Sequence, residues 1–84
     1  MKEKVTKFIV ETLRRNGQDT EFSDDDSLIK SSRLDSLDVV DLLLFIEEQY
    51  HIPPSLLGDD LTVIDTLNLI INYIELNQRK YESS

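Results

Sequence analysis

The chain contains no cysteine. Disulfides, thiolate metal sites and a cysteine nucleophile are thereby excluded, and any thioester chemistry needs a thiol brought from outside. There is a single histidine, His51, with no second histidine or cysteine to join it. No metal site is expected there; a cation at the end of a helix suits the helix dipole. Long apolar runs are missing too. The longest unbroken one, Leu42-Leu43-Leu44-Phe45-Ile46, falls far short of the roughly 18 residues that cross a bilayer. With no signal-peptide pattern at its start, the chain is expected to be soluble, cytoplasmic and free of any membrane span. Basic residues are absent from most of the second half: positions 34–78 hold nine Asp and Glu and no Lys or Arg. The net charge of -8 and pI of about 4.4 argue against nucleic acid, whose phosphates would be repelled. A partner with a basic surface is the natural complement, and a merely solvated acidic face is the other reading.

What is present suffices for one domain. A chain of 84 residues with 39% hydrophobic content buries about 60 to 65% of its extended surface, which leaves no room for a second core.

Taken in order, Val5, Phe8, Ile9, Thr12 and Leu13 recur at helical spacing. Arg14 and Arg15 suit a helix C-terminus, and Asn16-Gly17 ends it. The first helix is therefore predicted over about 2–15. A long polar connection follows, in which Leu28 and Ile29 would pin the chain to the core. Asp24, Asp26 and Asp35 fall at positions 1, 3 and 12 of a calcium-loop frame. Leu28 at position 5 and Ile29 in place of the required glycine reject that reading. Asp35, with Asp38 three residues on, starts a helix predicted over 36–51, which Pro53-Pro54 stops. A short turn is expected over 55–58. Thr62 with Asp65 three residues later predicts a last helix over 63–77, with Val63, Leu67, Ile70, Ile71 and Ile74 as its apolar stripe and a frayed tail over 78–84. The fold class is all-α: a small bundle of three main helices and one short one, with a long first loop.

The helix after Asp35 carries the functional signal. At about 100° per residue, Val39, Leu42, Leu43, Ile46 and Tyr50 fall on one side and reach a core. Leu37, Val40 and Leu44 lie on the other, among Asp41, Glu47 and Glu48. Acidic residues make burial of both sides costly, so the second side is predicted to be an exposed apolar strip with an acidic border, where a partner docks. Ser36 stands at the positive end of this helix. It lacks what a serine nucleophile needs, an adjacent base held by a third group. The only histidine is fifteen positions away on the same helix, roughly 20 Å off.

Asp35-Ser36-Leu37-Asp38, followed by an acidic, leucine-rich helix ending in Glu47-Glu48-Gln49-Tyr50, resembles the acyl carrier proteins, and with the flanking helices the resemblance covers nearly the whole chain. It implies a carrier rather than an enzyme. Ser36, with Asp35 beside it, would bear a covalent 4′-phosphopantetheine arm derived from coenzyme A. Leu37, Asp38, Val40, Asp41, Leu44, Glu47 and Glu48 would meet partner enzymes with basic docking surfaces: a phosphopantetheinyl transferase, acyl-transferring enzymes and condensing enzymes. The carrier would act as a monomer in fatty-acid or polyketide-type biosynthesis. The chain departs from the family at Arg33, where many members have glycine, and at Phe45, where a small residue is usual. Leu34-Asp35-Ser36-Leu37 also occurs in carriers of amino acids, so an aminoacyl or peptidyl carrier stays open. So does a plain acidic helical adaptor, in which Ser36 is only a helix-start residue or a phosphorylation switch.

Overall fold

The computed structural model describes residues 1–82, and among them are three α-helices, two short 3-10 turns and no strand. Helix α1 spans Lys2–Arg15 and buries Val5, Ile9, Thr12 and Leu13. Gly17 adopts a left-handed φ of 71°, its amide donating to the Arg14 carbonyl and that of Gln18 to the Leu13 carbonyl. Two orphan carbonyls are satisfied by this turn, which glycine enters without strain. Helix α2 spans Ser36–Tyr50, one residue short of expectation, because His51 turns left-handed at φ 59° and closes the helix as its cap.

The last helix departs most from the sequence pattern. Helix α3 spans Leu67–Glu82, not 63–77. Residues Leu61–Ile64 form a 3-10 turn instead, opened by the Asp60 carboxylate, which accepts from the Thr62 amide. The Asp65 carboxylate is engaged elsewhere in the molecule, so it cannot complete a capping box with Thr62. Thr66 starts the helix in its place, its hydroxyl accepting from the Leu69 amide. Val63 is left exposed outside the helix, while Leu67, Ile70 and Ile74 are buried and Ile71 half-buried. At the other end Asn77 bonds back to the Tyr73 carbonyl rather than capping. No glycine or proline follows, so residues 78–82 continue as helix; of the predicted tail, 83 and 84 lie outside the described residues. The expected short helix is likewise a 3-10 turn over Pro54–Leu56.

The core forms where the three helices meet the connecting segments: Ile9 and Leu13 from α1, Leu42 and Ile46 from α2, Ile70 and Ile74 from α3, closed by Leu28, Ile52 and Ile64. Leu28 is fully buried and pins the long connection as expected. No helix among the described residues is long and apolar enough to cross a membrane.

Phe45 faces α1. Its ring stacks on Phe8 at 4.5 Å between centroids and meets Tyr50 edge-on at 6.4 Å. Phe45→Ala should therefore cost about 2 kcal/mol, less than a fully buried phenylalanine because the ring is only partly covered. Denaturant unfolding measures this; an unchanged midpoint would show that the stack does not hold α1 to α2.

Candidate functional site around Ser36

Ser36 is exposed as the first residue of α2. The geometry around it begins with a reciprocal cap. The Asp35 carboxylate accepts from the Asp38 amide at 2.9 Å, and the Asp38 carboxylate accepts from the Asp35 amide at 3.0 Å. Of the orphan donors at a helix start, this leaves the amides of Ser36 and Leu37 for a ligand, at the positive end of the dipole.

The Asp38 oxygen that accepts from Asp35 also accepts from the Asn16 side chain at 2.6 Å. One carboxylate thus ties the end of α1 to the start of α2. Asp38 is only 5% exposed, which corrects its place in the docking set: the carboxylate faces inward because it caps the helix, and it is not free for a partner. Asp38→Ala strands two donors and removes the cap. It should lower stability by about 3 kcal/mol, read by thermal or denaturant unfolding, and a loss below about 1 kcal/mol would refute the role.

The remaining residues of that set face out. Leu37 is 74% exposed, Val40 51% and Leu44 50%, and Asp41, Glu47 and Glu48 are exposed beside them. On the opposite side Val39, Leu42 and Ile46 are buried, with Leu43 and Tyr50 half-buried. Arg15 lies 3.9 Å from the Asp41 carboxylate, both side chains being more than half exposed. Such a pair is screened and contributes little.

A cavity of about 300 Å³ opens beside Ser36, lined by Ile29, Ser32, Leu34, Asp35, Val39 and Leu61. Ile29, Leu34, Val39 and Leu61 supply its apolar surface, and Ser32, Asp35 and Ser36 its polar groups. Phe45, packed on Phe8, is not among its walls. Arg33 braces the approach to the site. Its guanidinium donates to the carbonyls of Asp19 and Glu21 and lies 5.9 Å from the centre of the Phe22 ring. Arg33 thus straps the first loop to the segment entering α2. The left-handed turn sits one residue earlier, at Ser32 with φ 67°, a conformation that disfavours any residue with a side chain.

Asp65 was read from sequence as a helix-start residue, and the structure gives it another role. Its Oδ1 accepts from the Ser27 hydroxyl at 3.0 Å, the Ile29 amide at 2.8 Å and the Lys30 amide at 3.0 Å, while its own carbonyl accepts from the Leu28 amide at 2.7 Å. Burial alone would raise this carboxyl's pKa. The bonds from Lys30, Ser27 and Ile29, with the Lys30 charge, outweigh burial and hold it below the usual value. A depressed pKa contributes stability that is present above the unfolded value, about 3.9, and is lost as pH falls through the folded one. Asp65, Asn16 and Leu61 were not legible as site residues, since no local pattern marks a contact across such separations. Comparison of the chain with family models, curated proteins and solved structures finds no match.

Proposed function

We propose that this protein is a cytoplasmic carrier of the acyl-carrier type, holding acyl groups as thioesters on a 4′-phosphopantetheine arm attached to Ser36. The observation that carries the reading is the exposed serine of the Asp35-Ser36-Leu37 motif, standing at a helix start on the rim of an apolar cavity. The amides of Ser36 and Leu37 suit a phosphodiester there. The arm would supply the thiol that a cysteine-free chain lacks, and tethering raises the effective concentration of its cargo at each partner. The chain itself performs no catalysis in this reading. The cavity is about 300 Å³, roughly twice an engineered apolar cavity that takes benzene, and it suits an alkyl chain. Four of its lining residues, Ile29, Leu34, Val39 and Leu61, are apolar, which suits acyl cargo in fatty-acid or polyketide-type synthesis.

Docking would use Leu37, Val40 and Leu44 with Asp41, Glu47 and Glu48 against basic partner surfaces, the phosphopantetheinyl transferase first among them. The test is direct. Incubation with coenzyme A and a broad-specificity transferase should add a single phosphopantetheine, seen by intact mass; a chain that stays unmodified would leave the acidic strip as the surface of an adaptor.

A further inference from the structure

The cavity beside Ser36 has two walls that are not adjacent in sequence, and both hang from one residue. Ile29 is held directly, its amide donating to the Asp65 carboxylate. Leu34 is held through one intermediate: its amide donates to the Leu28 carbonyl at 2.8 Å, and the Leu28 amide donates to the Asp65 carbonyl. Leu61, on the facing wall, opens the 3-10 turn Leu61–Ile64 that Asp65 itself closes. Of the apolar lining only Val39, on α2, is independent of Asp65. Asp65 is 7% exposed, so water does not compete freely for its carboxylate. All three side-chain bonds fall on one oxygen, Oδ1.

We propose that Asp65 is a positioning residue that fixes the capacity of this cavity for an alkyl guest, by clamping the 27–30 segment to the turn that carries Leu61. The clamp rests on the carrier reading only for the identity of its natural guest. Its geometry is independent of whether Ser36 is modified. With the clamp in place the walls are preorganised for a short chain. Without the carboxylate the Ile29 wall moves off the turn, while the main-chain bond from the Leu28 amide to the Asp65 carbonyl stays; the cavity then admits longer chains and holds short ones less tightly.

The geometry separates two substitutions. Asparagine at 65 keeps a carbonyl oxygen in the Oδ1 position, and so keeps all three acceptor contacts without the charge; alanine keeps none. The experiment uses the unmodified chain and a series of n-alkanols from butanol to dodecanol as neutral probes, with methyl chemical shifts of Ile29, Leu34, Val39 and Leu61 as the readout. In the native protein short alkanols should shift these methyls, up to a cut-off length. Asp65→Asn should leave that cut-off unchanged. Asp65→Ala should move it to longer chains and weaken the short alkanols by about tenfold, the scale of a lost bond or two to a charged group.

A folded Asp65→Ala protein with the native cut-off and affinities would overturn the proposal, as would an Asn variant that behaves like Ala. Should Asp65→Ala fail to fold, as judged by far-ultraviolet circular dichroism, Ser27→Ala decides, since it removes only one of the bonds. It should weaken the short alkanols by a smaller factor in the same direction, and native behaviour would overturn the clamp. Uptake of phosphopantetheine by Ser36 is scored separately. Its failure would remove the carrier reading and leave the alkanol result standing, whereas alkanols that shift no lining methyl in the native protein would remove the clamp alone.

Discussion

Ser36→Ala should take up no phosphopantetheine under conditions that modify the native chain completely. The effect is all or none because the other described serines lack the same combination of exposure and placement. The Ser27 hydroxyl is committed to Asp65, and that of Ser31 to the Ser27 carbonyl at 2.6 Å. Ser32 shares the cavity but sits in a left-handed turn, away from the first-turn amides. Ser36 alone opens α2, next to the two donors that the Asp35–Asp38 cap leaves over. The substitution is benign for the fold, since alanine is the best helix former and the residue is exposed. Loss of uptake then reports chemistry and not unfolding. Intact mass decides it, and equal labelling of the alanine variant would place the modification at another residue.

The second large effect concerns encounter with the transferase. Asp41 and Glu48 lie on the exposed side of α2 in a stretch, 34–78, without a single Lys or Arg. Arg15 approaches Asp41 from α1, but only at 3.9 Å and in the open. Charges of this kind act over about 8 Å at physiological salt and govern association more than lifetime. Replacing both by lysine should slow association about tenfold at low salt and flatten its salt dependence. Stability should move by less than about 1 kcal/mol, the worth of an exposed pair. Leu44→Ala should act on the other rate. It removes apolar contact without altering the field, so dissociation should quicken while the salt slope stays native. Rates against ionic strength for the three proteins measure both, and an unaltered slope in the double lysine variant would reduce the acidic strip to a solvated face.

The helix ends that the sequence placed well are those whose stop and start chemistry is local. Asn16-Gly17 ends α1 by a turn that only the next two residues complete, and Asp35 with Asp38 starts α2 by bonds within four residues. The burial of Val39, Leu42 and Ile46 against the exposure of Leu37, Val40 and Leu44 follows from period alone. Thr62 with Asp65 looked the same as a capping pair and was not one. The competing partners of Asp65, at positions 27, 29 and 30, lie 38, 36 and 35 residues away, where no periodicity reaches. Asp38 was misjudged for a related reason: its charge suggested solvent, while the cap and Asn16 turn it inward. The cavity was beyond reach as well, because it exists only once Ile29 and Leu34 meet Leu61.

The tie at Asp65 also divides the molecule by the ease with which its parts open. The amides of Leu28, Ile29 and Lys30 all end on that one residue, so they can be released together while α1, α2 and α3 stay packed. Their hydrogen exchange should share one opening free energy, smaller than that of the buried helical amides, which exchange by unfolding the whole domain. Because Ile29 and Leu34 belong to the segment that opens, the exchange rate of these three amides is a clock for the site: it measures how often anything enclosed beside Ser36 is uncovered to water.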